Sequence, residues 1–136
     1  MKAIFVDTSY WVAILNEKDD LHTRALVATK KLGSVRLLTS EMVLTEVLNE
    51  FSKYGKHFRK LAASLIHKIK SRTDVGIIPQ GSAQFDEALS VYEIFLDKQW
   101  SHTDCASYSI MQKEKITEAL SHDHHFKQMG VTALLK

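Results

Sequence analysis

The run Ala3-Ile4-Phe5-Val6 is wholly apolar and stops at Asp7, and this abrupt change constrains the chain more than any other feature. A short apolar run bounded by a polar residue reads as a buried strand. A carboxylate at the end of such a strand is costly unless something compensates its charge. Similar runs recur at Val35 to Leu38, at Val75-Gly76-Ile77-Ile78 before Pro79, at Thr117 to Leu120 and at Val131 to Leu134. Between them lie longer segments with helical apolar spacing. Strands alternating with helices imply a parallel sheet covered on both faces, here an α/β/α sandwich with about five short strands.

The helices have legible starts and stops. Thr8 or Ser9 is expected to cap a helix over Tyr10 to Asn16, and Asp20 a second one running towards Gly33. Ser40 caps a third, with Met42, Val43, Val47, Leu48, Phe51 and Tyr54 at helical spacing and Gly55 as its end. A further helix with Leu61, Leu65, Ile66 and Ile69 runs to about Ser71. Ser82 opens a helix that carries Phe85, Leu89, Tyr92 and Leu96 on one face. Ser101-x-x-Asp104 has the form of a capping box for a helix through about Lys113. With 136 residues and no linker, repeat or low-complexity tract, one domain over residues 1–136 is expected.

Several function classes drop out. None of the five glycines forms Gly-x-Gly, which excludes dinucleotide and Walker-type phosphate loops. A single cysteine, Cys105, excludes a multi-cysteine zinc site and an internal disulfide. No Gly-x-Ser-x-Gly elbow is present. The longest apolar run, Tyr10 to Leu15, is far shorter than a membrane span needs. Asp7, Thr8 and Ser9 interrupt anything resembling an export signal. A cytoplasmic protein without a membrane partner is the expectation.

The carboxylates then become informative. Ligands of an open parallel sheet sit beyond the carboxyl ends of its strands. Asp7 follows the first strand, Asp123 lies three residues past the fourth, and Asp104 opens the helix leading into that fourth strand. Glu46 lies at the border of the apolar face of the Ser40 helix, from which it can reach a cleft. Converging carboxylates repel one another unless a cation neutralises them. An all-oxygen set selects a hard ion such as Mg²⁺ or Mn²⁺, and such a site can activate water against a phosphodiester. Taken singly, Asp104 also reads as a capping acid, Glu46 as a helix-border residue and Asp123 as the close of a polar turn.

Val6-Asp7-Thr8-Ser9 with Trp11-Val12-Ala13 resembles the opening motif of PIN-domain proteins. Ser40 with Glu46 resembles that family's second motif, and Thr103-Asp104 its third. Ser121-His122-Asp123-His124-His125-Phe126 resembles its variable fourth motif, and His22 with Ala25 matches a His-x-x-Ala pair common in the family. The resemblance implies a compact α/β/α sandwich and a Mg²⁺- or Mn²⁺-dependent nuclease acting on RNA. Small stand-alone members are often the toxin half of VapBC-type toxin–antitoxin pairs. By motif position Asp7, Glu46, Asp104 and Asp123 become the acidic metal and catalytic site, with Thr8 and Ser9 orienting the first carboxylate and Ser121 supporting the fourth. The partners so implied are RNA, a cognate antitoxin and a second copy of the chain. An RNA-processing enzyme of the same fold, or a silent RNA-binding module, is the alternative.

Charge segregation adds to this reading. From Phe51 to Thr73 the chain has seven basic residues, among them Lys53, Lys56, Arg59 and Lys60, and no acidic one. Such a face can track a phosphate backbone even though the net charge is only +2. The alternative is a solvated helix face. His122, His124 and His125 suggest a transition-metal site only weakly, since no cysteine or spaced second pair accompanies them. Trp11 and Trp100 read as packing residues, and Cys105 as a small buried one. A phosphoacceptor regulator would need an Asp where Pro79-Gln80-Gly81 stands, and an Asp-x-Asp phosphatase would need an acid at Ser9.

Overall fold

The computed structural model describes all 136 residues. Its elements run β1 (Lys2–Val6), α1 (Thr8–Leu15), α2 (His22–Lys31), β2 (Val35–Ser40), α3 (Glu41–Phe51), α4 (Gly55–Ser71), β3 (Val75–Ile78), α5 (Ser82–Ile94), α6 (His102–Glu114), β4 (Glu118–Leu120), α7 (His124–Gln128) and β5 (Thr132–Ala133). The five strands form one sheet in the order β3-β2-β1-β4-β5, and every pairing is parallel. The expected α/β/α arrangement is therefore present. Phe5 and Val6 of the central strand are fully buried, and 31 buried residues form one continuous apolar core.

The order reverses at β1, which is followed in sequence by β2 on one side and paired with β4 on the other. Ligands of open parallel sheets bind beyond the carboxyl ends at such a switch point. Val6 pairs with Leu120, so Asp7 and Ser121 emerge side by side there. Thr39 ties the neighbouring strand in as well, donating from its hydroxyl to the Val6 carbonyl at 2.9 Å.

Local differences from the sequence expectations have identifiable causes. Helix α1 begins at Thr8, so Asp7 itself takes the N-cap position, and its side chain makes no cap bond. Helix α2 starts at His22 because Asp19, not Asp20, engages the backbone, accepting from the Leu21 N–H at 2.9 Å. His22 in turn binds the Ala13 carbonyl through Nδ1 at 2.6 Å, and Ala25 is buried between the helices, which accounts for the His-x-x-Ala pair as a clasp of α2 on α1. Helix α3 stops at Phe51, and Gly55 opens α4 rather than ending α3, with φ +89 that an L side chain rarely adopts. The histidine-rich segment, expected as a turn, forms the short helix α7. Helix α5 ends at Ile94, so Leu96 lies past it rather than on its face; Phe85, Leu89 and Tyr92 of the helix and Leu96 beyond it all remain exposed, while Gln84 and Ala88 are the helix's buried positions.

Candidate active site

At the carboxyl edge of the sheet lies a cleft of about 450 Å³. Asp7, Glu46, Asp104 and Asp123 all line it, together with Thr8, Ser9 and Ser101. The four acids foreseen from sequence thus come from β1's end, α3, α6 and the approach to α7. Asp19, Glu50, Gln99 and His125 also line the cleft and were not foreseen as site residues. Glu50 was findable in principle, since it stands one helical turn beyond Glu46. Lys53, Lys56, Arg59 and Lys60 are exposed but do not line the cleft. Lys56, Arg59 and Lys60 instead border a shallow recess on α4.

Each acid is held differently. Asp7 is only 6% exposed, and its Oδ2 accepts from Ser121 at 3.0 Å and from Ser9 at 3.3 Å. Both hydroxyls are themselves anchored from the loop after β4: the Asp123 N–H donates to Ser121 Oγ at 3.0 Å, and the His122 N–H to Ser9 Oγ at 3.3 Å. Thr8 turns the other way and donates to Glu46 Oε1 at 2.7 Å. Asp104 completes a two-sided capping box, since its N–H donates to Ser101 Oγ while its Oδ2 accepts from the Ser101 N–H, both at 3.0 Å. Asp123 caps α7 by accepting from the His125 N–H at 3.0 Å.

The electrostatics record the crowding. Burial raises the Asp7 carboxyl to about 7, against hydrogen bonding from Thr8 and Ser121, and the nearby Asp104 and Glu46 charges push it further up. Burial also raises Asp104, with the Asp123 charge adding to the rise and the Ser101 backbone opposing it. Cys105, just behind Asp104, is almost wholly buried, and desolvation with the Asp104 charge lifts its thiol to about 11. It is a packing residue, not a nucleophile. Trp11 and Trp100 are likewise buried.

Neighbouring carboxylates that raise Asp7 and Asp104 suit a divalent cation, whose charge would convert repulsion into coordination. The donors are oxygens at the hard end of the scale, and no lysine or arginine lines the cleft to neutralise them instead. Two hydroxyls fix Asp7 and one fixes Glu46, which is the outer support a metal centre requires of its ligands. The residues present fit a metal ion.

Comparison with known proteins bears on the family and the fold. The chain is 28% identical over 131 residues to the 23S rRNA-specific endonuclease VapC20 of Mycobacterium tuberculosis, covering 93% of this chain and 94% of that protein. The crystal structure of that VapC20, described as a sarcin–ricin loop cleaving toxin, superposes with a TM-score of 0.83 at 24% identity over 95% of this chain and 96% of its own. VapBC2 from Rickettsia felis, bound to a DNA fragment from its promoter, gives 0.60 at 17% identity, covering 96% of each chain. FitAcB from Neisseria gonorrhoeae gives 0.61 at 15%, covering 96% of this chain and 95% of that one. The PIN domain family matches residues 4–131. With its switch-point cleft and its motifs in order along nearly the whole length, this chain belongs to the PIN-domain family.

Proposed function

We propose that residues 1–136 form one metal-dependent ribonuclease domain that hydrolyses RNA phosphodiester bonds and serves as the toxin of a toxin–antitoxin pair. One observation carries the reading: four carboxylates from separate elements meet in a single cleft at the sheet's switch point, and the most buried of them resists ionisation without a cation. RNA as substrate is supported by the VapC20 relative, named for cleaving 23S rRNA. An antitoxin partner is supported by the likeness in fold to the VapBC2 toxin–antitoxin structure.

Asp7, Glu46, Asp104 and Asp123 hold the ion, Mg²⁺ or Mn²⁺, in this reading. When bound, such an ion activates water and offsets the charge that builds on the scissile phosphate. The chain's own contribution is to aim the carboxylates. Ser9 and Ser121 direct Asp7, Thr8 directs Glu46, and the Ser101 box leaves one Asp104 oxygen unbonded by the helix start. Lys53, Lys56, Arg59 and Lys60 attract the RNA backbone from outside the cleft. The exposed apolar side chains Phe85, Leu89, Tyr92, Ile94 and Leu96 give a second copy of the chain a face on which to pair.

The test is direct. Purified protein cleaves RNA, 23S rRNA included, with Mg²⁺ or Mn²⁺ and stops in EDTA, and its induction arrests a bacterial host while Asp7→Asn does not. Undiminished cleavage in EDTA defeats the metal mechanism. Cleavage without growth arrest leaves an RNA-processing role in place of the toxin role.

A further inference from the structure

His125 is the one basic side chain that lines the acidic cleft, and nothing in an all-oxygen site calls for it. Its side chain is 15% exposed, far less than the 70% of neighbouring His124. The ring is held from behind. Buried Trp100 donates from Nε1 to Gln128 Oε1 at 2.8 Å, and the same Gln128 oxygen faces His125 Nδ1 at 3.4 Å. Indole Nε1–H is a donor only, so it fixes which end of the Gln128 amide points inward. With an oxygen opposite Nδ1, that nitrogen carries the hydrogen. The lone pair of the neutral ring then sits on Nε2, the nitrogen turned towards Asp123.

His125 Nε2 lies 3.9 Å from Asp123 Oδ1. That is too long for a hydrogen bond, yet one ion with bonds of about 2.0–2.2 Å touches both atoms. An anchored far nitrogen, a fixed tautomer and a near nitrogen beside a carboxylate are the arrangement that metal-ligating histidines show. Histidine 124 reaches the same carboxylate through Nδ1 at 3.6 Å, and ligand atoms of all three residues lie within 4.8 Å of one another. It has no such anchor and stands in solvent. His125 lines the same cleft as Asp7, Glu46 and Asp104, which ties it to the rest of the acids.

We infer that His125 Nε2 is a nitrogen ligand of the cleft's metal ion, sharing it with Asp123, and that this nitrogen makes the site prefer Mn²⁺ to Mg²⁺. Imidazole binds first-row transition ions far better than it binds Mg²⁺, and Mn²⁺ is the first-row ion that also accepts a carboxylate-rich set. The inference rests on the metal-site reading above and adds to it the fourth motif's histidine and the choice of ion.

Binding of Mn²⁺ and Mg²⁺, measured by titration calorimetry in the absence of RNA, tests it alongside pulsed electron paramagnetic resonance of the Mn²⁺-loaded protein. The spectrum is expected to show a histidine nitrogen coupling that His125→Asn removes and His124→Ala keeps. His125→Asn and Gln128→Leu weaken Mn²⁺ about 10–100-fold and leave Mg²⁺ within about twofold. Gln128→Glu, which retains the acceptor for Trp100 and His125, keeps Mn²⁺ affinity. Absence of the nitrogen coupling, its loss in His124→Ala instead, or an equal weakening of both ions overturns the assignment. Asp7→Asn reports separately on the acidic reading: it abolishes binding of both ions if that reading holds, whereas wild-type affinities there defeat it whatever His125 does.

Discussion

The floor and the rim of the cleft are built on opposite principles. On the floor, Asp7 and Glu46 are positioned by residues distant in sequence: Ser121 reaches Asp7 across 114 positions, and Thr8 reaches Glu46 across 38. On the rim, Asp104 and Asp123 are positioned by bonds spanning three residues and two. The rim acids serve their own helices as caps, so their placement also stabilises the fold. The floor acid has no such return. Asp7 is buried at a strand end, makes no cap bond and faces other carboxylates. A residue that weakens the metal-free fold while its neighbours strengthen it is the one whose presence demands a functional explanation.

The largest expected contrast is at Asp7. Asp7→Asn lowers RNA cleavage by more than ~100-fold, beyond the range typical of outer supports, yet raises the stability of the metal-free protein. The sign follows from the raised carboxyl. Between about pH 4 and 7 the folded protein keeps a proton on Asp7 that the unfolded chain has released, so stability falls as pH rises through that window. The accumulated loss is on the order of 4 kcal/mol above pH 7. Urea unfolding in EDTA at pH 4 and pH 8 checks this, because wild type loses stability between them and Asp7→Asn loses far less. Equal losses in the two proteins would erase the distinction between floor and rim.

At Asp104 the rim's two duties can be separated. Asp104→Asn and Asp104→Glu both fold, the former with a loss of about 1 kcal/mol at the capping box, and both lose most RNA cleavage: Asn removes the charge a cation needs, and Glu moves the carboxylate by one methylene. Near-normal cleavage by Asp104→Glu, with only a lower melting temperature in Asp104→Asn, would reduce the rim acid to a cap. Next in size come the floor's supports. Ser121→Ala and Thr8→Val each lower cleavage about 10–100-fold while leaving circular dichroism unchanged, and a wild-type rate in either would show that long-range aiming is dispensable.

The smallest effect lies outside the cleft. Reversing Lys56, Arg59 and Lys60 to Glu weakens RNA binding and flattens its dependence on salt, with the rate at saturating RNA unchanged. An unaltered salt slope would identify the α4 face as merely solvated.

The same contrast decides what the sequence discloses. Rim features are local, so Ser101-x-x-Asp104 announces its box from spacing alone, and the box is present on both sides. Strand positions are equally legible, because four or five apolar residues ending at a polar one can do little else in a chain of alternating elements. Convergence of Asp7 with Ser121 is different. It depends on β4 pairing with β1 on the side away from β2, a choice no short window encodes; the position of both segments at strand carboxyl ends and the order of the PIN-like motifs hinted at it. His125 shows the same limit: its relevance depends on Gln128 and Trp100, the latter 28 residues from the former. The exposed stripe on α5 shows the converse, since helical spacing reveals that a face is apolar and not what covers it.

The parallel insertion of β4 beside β1 also orders events during synthesis. Asp7 leaves the ribosome early, and the partner that holds it is made 114 residues later. Until Leu120 pairs with Val6, the segment bearing Ser121 and Asp123 has no place to dock, and the cleft lacks one wall. If the ribonuclease reading holds, the site is incomplete while its own message is still being read. The cleft gains its last wall only when translation of the fourth strand is complete and the long-range closure, slow by nature, has occurred.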